Sequence, residues 1–158
     1  MKQRPSWQPG EALRETPVVT CFLMRADGAA SHLLLVRRSQ RVGSYNARWA
    51  GVSGFIEPGV TPDEQAFTEI HEEIGLQREQ VRMLRRGTVI EHVDASIGRH
   101  WYIHPYLFEA LNPDAIQLDW EATEMLWITP QELSNFETVP KLAEAYESAI
   151  NGEVISNP

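Results

Sequence analysis

The stretch TEIHEEIGL, residues 68–76, sets Glu69, Glu72 and Glu73 within five positions of one another in a chain of net charge −8. Like charges at helical neighbour positions repel by roughly a few tenths of a kcal/mol per pair. Carboxylates at i, i+3 and i+4 share one helix face. A divalent cation held between them would turn that repulsion into shared coordination. Carboxylate oxygens are hard ligands, suited to Mg²⁺, Mn²⁺ or Ca²⁺ rather than zinc. Three Glu on a helix also describe an ordinary solvated face, so the segment upstream matters. GVSGFIEPGVTP (51–62) feeds straight into the acidic helix. Gly54 permits close approach of backbone to a ligand or metal, and loop amides with a helix N-terminus suit anions.

The elements around these residues follow from local pattern. Thr61 is a good N-cap, Pro62 suits the first helical position, and Thr61 with Glu64 reads as a capping box. Gly75 sits where the helix stops. Ala66, Phe67, Ile70 and Ile74 make an apolar stripe on a different face from the carboxylates. Upstream, TPVVTCFLM (16–24) and SHLLLVRR (31–38) read as strands joined by a turn at Asp27-Gly28, and WAGVSGFI (49–56) is extended. Downstream, RRGTVIEHV (85–93) and WYIHPYLFEA (101–110) read as two strands with a turn near Ser96-Ile97-Gly98. EMLWI (124–128) is a short strand, TPQEL (129–133) a helix start, and TVPKLAEAYESAI (138–150) a closing amphipathic helix. Leu142, Tyr146 and Ile150 form its apolar stripe, which would cover either the core or a second subunit in a homodimer. Strands, one helix, more strands, then helices exclude a regular βαβα alternation. They predict an α+β domain over 16–150, a mixed sheet covered by helices, with a polar lead-in at 1–15 and a frayed tail at 151–158.

Composition bounds the function. The content, 42% hydrophobic and 23% charged, is that of one globular domain. Residues 1–99 carry 13 Lys/Arg against 12 Asp/Glu, whereas residues 100–158 carry only Lys141 against 10 acids. That balance argues against duplex nucleic acid, which wants a basic footprint. No apolar run approaches the ~20 residues of a membrane span. The single cysteine, Cys21, excludes an intrachain disulfide and fits a reducing cytoplasm. One basic segment stands out: RRSQRVGSYNAR (37–48), where Arg37 and Arg38 close a strand and are suited to phosphate.

Gly54, five residues, Val60, seven residues, then Thr68-Glu69-Ile70-His71-Glu72-Glu73-Ile74-Gly75-Leu76 resembles the signature of the Nudix hydrolases, G-x5-E-x7-R-E-U-x-E-E-x-G-U. The match covers 23 residues at fixed register, and the flanks extend it over about 16–150. Two positions depart: Val60 stands for the early Glu and Thr68 for the Arg, a pair regarded in the family as supporting the catalytic helix. The resemblance implies a mixed sheet sandwiched between helices (α/β/α). It implies hydrolysis of a pyrophosphate bond in a nucleoside diphosphate linked to another moiety: ADP-ribose or another sugar nucleotide, a dinucleoside polyphosphate, or an NTP. It implies Mg²⁺, or Mn²⁺, held by Glu69, Glu72 and Glu73 with the Gly54 carbonyl as an extra ligand, and a catalytic role for the same three acids. A later acid, Glu91, Asp94 or Glu121, would complete the site. Substrate contacts are expected from Arg37, Arg38 and an aromatic face among Trp49, Trp101 and Tyr102. The missing charges at 60 and 68 keep a second reading in play, a Nudix-fold nucleotide-binding regulatory module without turnover. His71 is expected to be structural.

Overall fold

Alternation along the first long strand divides the molecule into two packed faces. In β1 (Arg14–Asp27), Val19, Cys21 and Leu23 point to one side and Val18, Phe22 and Met24 to the other. The computed structural model describes residues 8, 10–27 and 30–156; the turn expected at Asp27-Gly28 runs into residues outside that set. In chain order the remaining elements are β2 (Ala30–Arg38), β3 (Trp49–Ala50), β4 (Val52–Phe55), α1 (Pro62–Ile74), β5 (Val81–Arg86), β6 (Ile90–Asp94), β7 (Arg99–Ala110), β8 (Ala122–Ile128), α2 (Leu142–Ile150) and β9 (Glu153–Val154).

The strands join in one mixed sheet, β3-β2-β1-β7-β5-β9, with β4 also pairing β1, β6 pairing β7 and β8 pairing β2. The spine is parallel, β1 against β7 from Arg14↔Arg99 to Met24↔Glu109. Ala66, Ile70 and Ile74 of α1 pack on one face with Val19, Cys21, Leu34, Val36, Tyr106 and Phe108. Leu142, Ala145 and Ala149 of α2 pack on the other with Phe22, Leu33, Leu35 and Leu107. The sheet therefore lies between helices, the α+β class and layer order expected. Tyr146 meets Phe22 edge-on at 5.3 Å, so most of the apolar stripe of α2 is spent on the core, and Ile150 stays 36% exposed.

Four local expectations need correction. The strand expected over 85–93 is two strands, because Pro105 of β7 has no N–H to offer at that point and Gly87, at the break, lies hard against α2. The Pro105 carbonyl accepts from Gly87 N–H at 2.9 Å, and a Cβ on Gly87 would come within 2.7 Å of Ser148 backbone. The capping box of α1 is half made: Thr61 Oγ1 accepts from Glu64 N–H at 3.2 Å, but the Glu64 carboxylate turns out to Arg78. Helix α2 starts at Leu142 rather than 138, since residues 137–139 run extended beside Trp49 and Lys141 takes a left-handed φ of 68°. The tail is not wholly frayed, as Glu153–Val154 pairs with Arg85 and Arg86 of β5. The segment after Thr129 is a 3₁₀ helix with both halves of its capping box present.

The start of α1 is tied down by charge. Asp63 accepts from Arg86 Nε at 2.9 Å and from Tyr106 Oη at 2.6 Å, and Arg86 also reaches Glu153 at 3.0 Å. The Arg86 guanidinium, with help from Tyr106, holds the Asp63 carboxyl below its usual 3.8. A lowered carboxyl stabilises the fold above its unfolded pKa and loses that contribution as pH falls through the folded value. Asp63→Asn is therefore expected to lower Tm at neutral pH. About 1 kcal/mol, or roughly 2–4 °C, is the scale for so exposed a pair. Thermal unfolding followed down in pH should show the gap to wild type closing below about 3.8.

Candidate active site

The acidic face of α1 is pressed onto β4. Gly54, paired with Val19 of β1, lies directly beneath Glu69. A Cβ at Gly54 would stand 2.0 Å from Glu69 Cδ, so the carboxylate occupies the volume that any other residue's side chain would claim. One turn further on, Glu73 Oε2 accepts from the N–H of Ser53 at 3.1 Å, and Glu73 is only 6% exposed. Burying a carboxylate this deeply is costly unless hydrogen bonds or a cation compensate.

The C-terminus of α1 recruits a third acid. The last carbonyls of a helix lack intrahelical partners. Here Ile74 O accepts from Gln117 N–H at 2.9 Å and Glu73 O from Asp119 N–H at 3.1 Å. That docking sets the loop before β8. Asp119 Oδ1 then accepts from Glu121 N–H at 2.9 Å, and Glu121 O accepts from Ser39 N–H at 2.8 Å. One carboxylate oxygen from each of Glu69, Glu73 and Glu121 lies within 4.8 Å of the other two. Of the later acids named from the sequence, Glu121 is the one in this cluster. Glu91 meets His100 at 3.0 Å, and Asp94 accepts from Tyr45 Oη at 2.8 Å and from Ser96. Glu72 is exposed and lines the rim.

Burial and mutual repulsion raise all three acids. Burial pushes Glu69 up to about 7, with Glu72, Glu121 and Asp119 adding to it. Burial raises Glu73 well above 4.5, reinforced by Glu121 and Glu69. Burial and Asp119 raise Glu121, against the pull of Arg38. Arg38 is the nearby positive charge; its Nε is fixed on Ser44 O at 3.0 Å, and burial lowers its own pKa. Clustered, desolvated carboxylates with hard oxygen donors fit a divalent cation of the Mg²⁺ or Mn²⁺ kind.

Glu69 and Glu121 of the cluster, with Glu72, line a cleft of about 330 Å³. Arg38, Arg41 and Lys141 bring positive charge to it, and Phe55, Trp101 and Trp120 bring aromatic surface. Phe55 and Trp101 stack at 6.4 Å and 18°, and Trp101 Nε1 donates to Tyr45 Oη at 3.0 Å. Arg41 belongs to the basic segment 37–48 picked out in the sequence, but no signal there ranked it for the site, and sequence reasoning missed Trp120; the guanidinium of Arg41 lies 5.7 Å from the Trp120 ring. Both stand in loops, where no periodicity marks which side chains converge. Arg37 and Trp49 are not among the described residues lining the cleft. Arg37 pairs with Glu124 at 3.0 Å, and Trp49 packs edge-on against Phe136 at 5.4 Å. Tyr102 stacks on His100 at 4.4 Å away from the cleft, and His71 is exposed.

A carboxyl raised by folding costs stability when it must ionise. With Glu69 near 4.5 unfolded and about 7 folded, the stabilising contribution of protonated Glu69 is fully present below about 4.5 and is lost as pH rises through about 7. Thermal unfolding in chelating buffer should show this fall, Glu69→Gln should flatten it, and added Mg²⁺ should oppose it.

Comparison with known proteins agrees with this geometry. The family model described as NUDIX domain matches residues 14–149. A Nudix hydrolase of M. smegmatis, RenU, superposes with TM-score 0.70 at 20% identity, covering 84% of this chain and 81% of that one. A C. elegans Ap4A hydrolase in a binary complex gives TM-score 0.71 at 17% identity, covering 84% and 93%. A bifunctional NMN adenylyltransferase/ADP ribose pyrophosphatase of Francisella tularensis gives 0.68 at 22% identity, covering 87% of this chain and 41% of the larger one. With the family model spanning nearly its whole length and the acidic helix seated on its glycine strand, this chain belongs to the Nudix family.

Proposed function

We propose that this pyrophosphohydrolase uses Mg²⁺, with Mn²⁺ as a substitute, to hydrolyse the diphosphate linkage of a nucleoside diphosphate derivative. ADP-ribose or another sugar nucleotide, a dinucleoside polyphosphate, and an NTP are the substrate types to be separated. The observation that carries the reading is the convergence of Glu69, Glu73 and Glu121 within 4.8 Å beside Arg38. These three acids would hold the ion, with Glu72 contributing from the rim and the Gly54 carbonyl adjacent. When bound, the ion supplies charge neutralisation of the diphosphate and acidification of water.

The chain's own residues do the remaining work. Arg38 and Arg41 meet phosphate oxygens, and the Phe55–Trp101 face and Trp120 offer flat apolar surface for the nucleoside half. Water attacks one phosphorus, the bridging P–O bond breaks, and the attacking water's proton passes to a carboxylate of the cluster. Glu69 or Glu121, whichever is not committed to the ion, would take that proton. The Ser53 N–H keeps Glu73 turned inward. A lone buried cysteine is consistent with a cytoplasmic setting, and no described helix is long and apolar enough to cross a membrane.

Phosphate release from a panel of the three substrate types, with Mg²⁺ and a coupling phosphatase, tests the reading. Glu73→Gln should lose about 10²–10⁴-fold in turnover while keeping its fold. Tight binding of one compound with no turnover would instead identify a binding module. Gly54→Ala makes a finer point. The atom it would strike is the end of a flexible side chain, so its Tm should stay near wild type while displacement of the Glu69 carboxylate lowers kcat.

A further inference from the structure

Gln65 is a buried polar side chain of α1 that hydrogen-bonds the acidic cluster. It is 3% exposed, one turn before Glu69 on α1. Its Oε1 accepts from Glu57 N–H at 3.1 Å, and its Nε2 donates to Glu69 Oε1 at 3.0 Å. These partners fix the orientation of the carboxamide. A backbone N–H can only donate, so Oε1 must face Glu57, which leaves the NH₂ group aimed at the carboxylate. A hydrogen bond to an ionised acceptor is roughly twice as strong as a neutral one.

The surroundings show why this contact matters here. Thr68 is exposed and uncharged, and Val60 brings no charge, so neither supplies the support that the signature's Arg and Glu give. Glu69 lies over Gly54, whose missing side chain sets no lateral wall. The other end of the amide grips a tight turn, Glu57-Pro58-Gly59-Val60, closed by Val60 N–H to Glu57 O at 3.1 Å with Gly59 at φ 81°. Glu57 itself lines the cleft.

We propose that Gln65 is a positioning residue: its carboxamide sets the Glu69 carboxylate in place over Gly54 and couples that carboxylate to the Glu57–Val60 turn at the cleft edge. The inference rests on the hydrolase reading, in which Glu69 belongs to the cation and base cluster.

Two substitutions separate orientation of Glu69 from simple tethering of the turn. Gln65→Met removes both hydrogen bonds at similar volume. Gln65→Glu keeps an acceptor for Glu57 N–H but, when ionised, has no donor for Glu69. Mn²⁺ affinity of the full chain without substrate is measured by the loss of free-ion EPR signal, for wild type and Gln65→Met. Then kcat and KM are measured for all three proteins on the compound wild type turns over best. Supporting partners of metal ligands typically contribute about 10–100-fold to affinity or activity. The expected result is a loss in that range in Mn²⁺ affinity for Gln65→Met. Lowered kcat with KM within about threefold of wild type is expected for both variants. Wild-type Mn²⁺ affinity in Gln65→Met, or wild-type kcat in Gln65→Glu, overturns the proposal and leaves Gln65 a tether of the turn. If Gln65→Met does not fold, kcat of Gln65→Glu decides alone. A wild-type protein that neither binds Mn²⁺ nor turns over any compound overturns the hydrolase reading itself, a result distinct from any difference among the variants.

Discussion

The site depends on pressing a charged helix face against a strand that has no side chain at the point of contact. Gly54 lets α1 come close enough for the Glu69 carboxylate to lie on backbone, and Ser53 offers its N–H to Glu73. The apolar stripe of the same helix drives that approach, with Ala66, Ile70 and Ile74 fully buried against the sheet. Burial of hydrophobic area thus forces the desolvation of carboxylates, and the raised pKa of each acid is the mark of it. A divalent cation would relieve that burden, and the approach that strains the isolated fold is the one that gathers acids able to hold it.

The third acid comes from the same helix by a different route. Terminal carbonyls need donors, and the loop at 117–119 supplies them. Glu121 is then delivered within two residues, through the side chain of Asp119. One helix carries two of the clustered acids and organises the third by its end. Cavity shape follows from loops held less regularly, such as 39–48, where Tyr45 and Ala47 take left-handed backbone and Tyr45 is fixed to Asp94 and Trp101.

The signature's missing charges are answered locally. Val60 and Thr68 remove an ion pair together, so neither leaves a stranded charge. Gln65, Ser53 and Gly54 surround Glu69 and Glu73 with a donor on each and a fitted space for one. A neutral amide avoids the desolvation that a buried ion pair would demand.

By itself, the sequence determined the parts ruled by short-range physics. Apolar, β-branched runs placed β1, β2, β7 and β8, a period-3.6 stripe placed α1, and with them came the α+β class, while the resemblance of the signature implied the layer order. Fixed spacing from Gly54 to Leu76 placed Glu69 and Glu73 on one face of one helix, and the structure set Gly54 beneath Glu69. What escaped it is what depends on partners distant in the chain. The split at Gly87–Val89 needs β7 to present Pro105 there and α2 to crowd the glycine. The late start of α2 needs Trp49 to hold residues 137–139 extended. The choice of Glu121 over Glu91 and Asp94 needs the carbonyls ending α1. Arg38 faces the acids while Arg37 turns to Glu124, because neighbours on a strand point to opposite sides. Tertiary packing alone chose the side that became the cleft.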